Sequence, residues 1–459
     1  MTPDLKDTIA RLEELAVGSG LVYDPVDFEE VPDSFMMEIA VYGLPVRMPH
    51  WSFGVRYIYQ LVQHRMGNSR LFEVVFPGNP NRAYLADRNT YDENTLVSAH
   101  VLGHADFSRN NLLFRKSREQ VGGRIVEQAA AHARRIEEAI ERHGLARVEA
   151  VLDAALALEQ HIDVTRDVSR PPYPTSTPPR ESSGADPFLA RYRELAGEAA
   201  DSTADTPTRP TLPPVPERDL LWLIAHYAPD LEGWERDIFL AVREESFYFH
   251  PVFACQIMNE GWACYWHARL LREAGFLPQH VYLDAIKAHS DVVRPYAGAQ
   301  EVTLAINPYH VGFHMWERLV DRHGLAAARE IMAQDDDFAF VRNHLDESLA
   351  EDLSLFDFHA RASGEIRVGD CDIDSIREQI LAPKFNFGAP TVHAVHIATD
   401  GTLELVHDHV RDGRGLALDR ACRVLEYIVR MWRRPVQLET IDATGRPHVI
   451  ALDASGHPR

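Results

Sequence analysis

Cysteine is scarce in this chain: four residues, Cys255, Cys264, Cys371 and Cys422, with no CxxC spacing among 459 positions. A disulfide framework is therefore excluded, and a reducing compartment is the simpler setting. Basic residues are also in deficit, 47 Lys and Arg against 69 Asp and Glu, which leaves a net charge of -22. Such a surface repels phosphate backbones and anionic lipid, so neither nucleic acid nor a membrane surface is expected as a partner. No window approaches the ~18 unbroken apolar residues that span a bilayer. The opening MTPDLKDTIARLEELAVGSG is amphipathic and acidic, without the basic-then-apolar order of an export signal. The expected location is cytoplasmic. Also missing are a GxxxxGK[ST] phosphate loop, GxGxxG after a strand, a GxSxG elbow and a kinase HRD or DFG pair. Nucleotide-driven chemistry, serine hydrolysis and dinucleotide redox are thereby disfavoured.

What is present is an ordinary globular composition, 45% hydrophobic and 25% charged, in a chain long enough for two or three domains. Apolar spacing predicts helices over 4–16, 51–66 and from Asn94 through TLVSAHVLGHADF. Two more, 120–143 and 147–161, are joined at Gly144 as an antiparallel hairpin. LFEVVF (71–76) reads as a short strand that ends at Pro77-Gly78-Asn79-Pro80. Residues 164–217 are rich in Pro, Ser and Thr and read as an exposed linker around one short helix near 187–199. Helices resume over 220–228, 234–249, 252–274, 316–332 and 343–351. From Pro390 the period falls to two around the Asp400-Gly401 turn signal, with a helix over 416–433 and a last pair of strands. The expected architecture is mainly α, a multi-helix core with a small C-terminal α+β domain. Its parts are 1–163 (core), 164–217 (linker), 218–385 (core) and 386–459 (α+β).

Twenty-three histidines raise the question of which converge. His100 and His104 stand four apart, one above the other on one helical face, the spacing used when both bind one metal ion. The hydrolytic version of that motif places Glu after the first histidine; here Val101 stands there. Two packed, hydrogen-bonded histidines would look the same. In NEGWACYWH (259–267), Glu260, Cys264 and His267 share one helical stripe, and Glu260 enters an otherwise apolar run and needs a partner. That partner is either a pocket ligand or an arginine such as Arg134 or Arg243. Glu260 and His267 are ~10 Å apart along the axis, so both can line one pocket without sharing an ion. His132 with Glu159 or His161 forms a third polar set, facing inward from the hairpin. His289-Ser290-Asp291 and Asn307-Pro308-Tyr309-His310 with His314 read as loops at a pocket rim. His407-Asp408-His409 is equally a solvated strand end. Cys264 with His267 is a weak nucleophile pair.

Several of these stretches resemble the SpoVR (stage V sporulation protein R) family. AHVLGHADFSRNN (99–111), AHARRIEEAIERHG (131–144) and LEQHID (158–163) are similar to its first blocks. The segment 218–267, ending in NEGWACYWH, resembles its longest block, and INPYHVG (306–312) and RPVQLET (434–440) continue the likeness. Leu102, Ser108-Arg109 and Cys264 depart from the pattern, Cys264 standing where a small hydroxyl residue is commoner. The resemblance implies a cytoplasmic protein, linked in spore formers to spore cortex formation. It also implies association with a serine protein kinase and a partner bearing a von Willebrand-type domain; no enzymatic activity comes with it. Three readings stay open. In the first, His100, His104 and Glu260 hold zinc or iron, an arrangement that resembles the His-His-Glu set of zinc peptidases. Glu159 or His267 would then supply the base of an amidase or peptidase. The second is a helical di-metal carboxylate protein that adds His132 and Glu159. The third is a regulatory scaffold without catalysis, whose linker Ser and Thr residues suit phosphorylation.

Overall fold

The structure, a computed structural model, describes residues 1–65, 72–170, 173, 212–294, 307–355, 358–360, 366–368 and 372–459. The expected helix near 187–199, most of the linker and Cys371 lie outside them. The chain is mainly helical with a small C-terminal α+β unit, as the periodicities predict.

Helix α1 (Pro3–Gly18) leads into strand β1 (Val26–Val31), helices α2 (Asp33–Tyr42) and α3 (Trp51–Arg65), and strands β2 (Glu73–Phe76) and β3 (Asn81–Ala86). The three strands form one sheet in the order β1-β3-β2, β1 parallel and β2 antiparallel to β3. Sequence reading finds only β2. The short, charged VDFEEV and NRAYLA carry no clean alternation, and their pairing is fixed by a contact across the chain.

Helix α4 (Tyr91–Asn110) begins with a capping box. Thr90 Oγ1 accepts from Glu93 N at 3.2 Å, and Glu93 Oε2 accepts from Thr90 N at 2.8 Å. Every residue from Asn94 to Ser108 is buried, so its polar side chains must find partners inside the protein. Helices α5 (Leu112–Val121), α6 (Ile125–His143) and α7 (Leu145–Ala157) follow, the last two meeting at Gly144 as a hairpin. After a short turn of helix, α8 (Arg166–Ser169), come α9 (Leu220–Tyr227) and α10 (Gly233–Ala254). Helix α10 runs on through Pro251, so the expected 252–274 helix starts later, as α11 (Gln256–Glu273). Asp337 caps α11, accepting from Ile257 N at 2.9 Å and Met258 N at 3.0 Å.

Helices α12 (Gln279–Val292) and α13 (Pro308–Gln334) correct the loop reading of residues 289–291 and 307–314. Asn307 caps α13, accepting from Tyr309 N at 3.0 Å, and Pro308 takes the first turn, where its missing N–H costs nothing. Helices α14 (Asp337–His344), α15 (Glu347–Asp352) and α16 (Ile373–Leu381) complete the core, with a two-stranded ribbon of β4 (Phe358–Ala360) and β5 (Ile366–Val368) between the last two.

Helix α11 lies between α4 and α13 at van der Waals distance because small residues face one another. A Cβ on Gly103 would sit 2.6 Å from Ala263 Cα, and one on Gly261 would sit 2.2 Å from the Gly312 carbonyl carbon. Trp262 Nε1 donates to Asp106 Oδ2 across the first junction at 2.9 Å, and Trp316 Nε1 to the Met258 carbonyl across the second, also at 2.9 Å.

The C-terminal sheet has the order β6 (Val392–Ile397), β7 (Leu403–His407), β8 (Val436–Ile441), β9 (Pro447–Leu452). The turn between β6 and β7 is the expected Asp400-Gly401, with Gly401 at φ 86°. Strands β7 and β8 are parallel, joined through α17 (His409–Asp412) and α18 (Leu418–Trp432). His407, the last residue of β7, is buried and bonded at 2.9 Å to both Thr440 Oγ1 and Asp412 Oδ2, which corrects the reading of a solvated strand end; His409 is exposed but opens α17.

Candidate metal centre

Helix α4 carries His100 and His104 on one face, and α11 brings Glu260 against them. Glu260 Oε2 lies 3.4 Å from His104 Nε2 and 3.6 Å from His100 Nε2. His100, His104 and Glu260 offer ligand atoms that all lie within 4.8 Å of one another. Two of these atoms, His100 Nε2 and Glu260 Oε2, are shut off from solvent yet have no hydrogen-bond partner. Unsatisfied buried acceptors cost free energy unless something electrophilic meets them. The donor set, two imidazoles and a carboxylate from two rigid helices, fits a zinc- or iron-class cation, and three ligands leave one tetrahedral position for a further one.

The surrounding charges are polarised around this trio. Burial alone would raise the Glu260 carboxyl, but the neighbouring His104 and His100 outweigh it and hold it below the carboxylate range. Burial, helped by His104, lowers His100 to about 4, so its imidazole is neutral near pH 7. Burial pulls His104 down as well, but Glu260, Asn259 and Glu73 together lift it above its ordinary value. His104 Nδ1 is 2.9 Å from Asn259 Oδ1, an acceptor, which turns Nε2 toward Glu260.

Two residues outside the expected ligand set complete the wall. Glu73, the single carboxylate of β2, stands 3.9 Å from His100 Nε2, and burial pushes its carboxyl up to about 7, Glu260 adding to the rise and His104 opposing it. Tyr309 stacks near His100 at 6.2 Å between ring centres. The Glu260 charge, then burial and Glu73, push its phenol well above the ordinary value, so it stays protonated. About a fifth of the Glu73 and Glu260 side chains remains accessible, 18% and 20%, which marks the approach side. A lone Glu in LFEVVF was the available signal for Glu73; Tyr309 was visible only as part of a presumed rim.

Behind His100 lies His267, fully buried, their Nδ1 atoms 2.9 Å apart, and His267 Nε2 lies 2.6 Å from His289 Nδ1. His267 thus touches the centre from the rear. Glu159 is placed elsewhere: its carboxylate is 3.7 Å from an Arg47 nitrogen, on a separate cavity of about 250 Å³ also lined by Phe249, His250 and Phe387. His132 meets Glu245 at 3.2 Å and Glu244 at 3.4 Å, so the expected set of His132 with His161 or Glu159 is replaced by carboxylates of α10. Arg243, an expected partner of Glu260, pairs instead with Asp219 at 2.8 Å.

Comparison with known proteins adds a family. Residues 1–388 match the family described as "SpoVR like protein", and residues 391–443 match "SpoVR-like C-terminal domain". The chain is 31% identical over 332 residues to "Uncharacterized protein YcgB" of Escherichia coli (strain K12). That alignment covers 69% of this chain and 63% of the Escherichia coli protein. No solved structure matches the chain.

Proposed function

The chain belongs to the SpoVR-like family, and from that premise we propose that it is a metal-dependent hydrolase of amide or peptide bonds. The carrying observation is the convergence of His100 Nε2, His104 Nε2 and the Glu260 carboxylate, two of whose buried acceptor atoms have no partner. A zinc or iron ion held by these three would supply Lewis acidity toward a carbonyl oxygen and a water. The protein's own groups do the rest. Glu73, ionised, takes a proton from the attacking water and returns it to the leaving nitrogen, the part that Glu plays at the place here held by Val101. Tyr309, kept protonated, donates a hydrogen bond to the substrate oxygen as charge develops there. His267 fixes the orientation of His100 through Nδ1. The resemblance-derived link to spore cortex makes cell-wall peptides the first substrates to screen.

The test is elemental analysis of tag-free protein beside a His100→Ala/His104→Ala variant and a Glu73→Gln variant. About one equivalent of zinc or iron at the trio is expected in the wild type and in Glu73→Gln, and its loss in the double variant. Amide hydrolysis should fall roughly 10²–10⁴-fold in Glu73→Gln. No metal in any preparation would sink the proposal and leave the scaffold reading, with the kinase and the von Willebrand-type partner as the next things to test.

A further inference from the structure

We propose that the rear of the centre is a second metal site, in which His100 Nδ1, His267 Nδ1 and Cys264 Sγ bind a thiophilic cation, zinc or copper(I). Its bridging character rests on the reading of His100, His104 and Glu260 as a first site: His100 would then join two ions through its two ring nitrogens.

Cys264 and His267 follow Glu260 at four and seven positions along α11, so all three project from one stripe toward α4. Ligand atoms of His100, Cys264 and His267 all lie within 4.8 Å of one another, and the three residues are 3%, 0% and 0% exposed. One tautomer of the His267 ring is the one that a ligand needs. When its Nε2–H donates to His289 Nδ1, 2.6 Å away, Nδ1 is left with a lone pair facing His100. Zinc–nitrogen bonds of ~2.05 Å at tetrahedral angles put two nitrogens ~3.3 Å apart. The present 2.9 Å between Nδ1 atoms must therefore open by only a few tenths of an ångström.

Charge argues the same way. A cation in a dry pocket needs an anionic ligand, and Cys264 supplies one as thiolate. Binding forms the metal–sulfur and metal–nitrogen bonds and releases the thiol proton, and the His100 Nδ1 proton, to solvent. Thiolate and imidazole donors select zinc or copper(I) over magnesium or calcium. The competing arrangement is a plain hydrogen-bonded row, His100 to His267 to His289, with no ion and no part for sulfur.

Cobalt(II) added to chelator-stripped, tag-free, full-length protein separates the two. The expected result is two equivalents bound and a thiolate-to-cobalt charge-transfer absorption in the near ultraviolet. Cys264→Ser and Cys264→Ala should each lose that absorption and one equivalent. His104→Ala should lose the other equivalent and keep the absorption. A wild type that binds cobalt without thiolate absorption overturns the second site, needs no variant to fold, and leaves the hydrolase reading standing. Absorption that survives Cys264→Ser also overturns it. One equivalent with absorption, indifferent to His104→Ala, supports the second site and removes the first.

Discussion

At the scale of single residues, spacing made part of the centre legible. His100 and His104 were readable because helical geometry alone puts i and i+4 on one face. Glu260 was readable because a carboxylate in an apolar run requires a partner. Glu73 was not, since one carboxylate in a four-residue strand carries no periodicity and its neighbour, His100, is set by tertiary packing. His132 shows the same limit and permits a prediction. Burial by itself would lower its pKa, but Glu244 and Glu245 outweigh that and raise it to about 9. An unfolded histidine titrates near ~6.5. A raised folded value means that the charged form stabilises the fold fully below that pH, and that this contribution disappears as pH rises through about 9. His132→Gln should therefore lower the melting temperature more at pH 6 than at pH 10. Equal losses at both values would mean that the ring matters for packing and its charge does not.

At the scale of elements, the cluster of His100, His104, Glu260 and Tyr309 exists because three helices, α4, α11 and α13, approach closely enough for their side chains to meet. The long amphipathic helices were legible from their period. The starts of α12 and α13 were not, although Pro278 and Pro308 stand at them and proline before or in the first turn opens a helix. The glycines that set the spacing were hidden inside recognised motifs. Gly261 has no room for a methyl, since its Cβ would meet Gly312 backbone at 2.2 Å. Gly261→Ala should cost about 3 kcal/mol or more, because backbone rather than a flexible side chain must yield. It should also weaken metal binding at Glu260 next door. Gly18, in a helix with nothing within 4 Å of an added Cβ, is the control, and Gly18→Ala should be neutral or slightly stabilising. Thermal unfolding of the two variants decides; matching melting points would mean that α11 and α13 slide apart at little cost.

At the scale of the whole molecule, periodicity indicated a mainly helical chain ending in an α+β unit, but not how the two parts join. Their apolar residues form one cluster: Val148, Val151 and Leu152 of α7 and Leu220 and Leu223 of α9 pack with Leu425, Ile428 and Trp432 of α18. The chain also returns to the sheet, Glu217 and Ala394 exchanging backbone hydrogen bonds of 2.8 Å and Ile397 N donating to the Leu212 carbonyl at 2.7 Å. Arg433 grips both oxygens of Glu235, at 2.6 and 2.7 Å, and that carboxylate is only 2% exposed. A sheet with its own helix would survive removal as a module; one that completes another element's core would not. We therefore expect a chain ending at Ala389 to lose far more than a tail. Deleting the α18 face bares the α7 and α9 side chains, and losing Arg433 leaves Glu235 to the Glu232 N–H at 2.8 Å and an Arg147 nitrogen at 4.0 Å, a defect below the about 3–5 kcal/mol of a buried charge left wholly unpaired. The truncated chain should bind an apolar dye and melt without the cooperative transition of the full chain, and Arg433→Ala should reproduce the ion-pair share of that loss alone. A truncated chain that melts cooperatively at the full-length temperature would show the C-terminal unit to be energetically separate. The shared cluster would then be a contact surface between two independently stable parts.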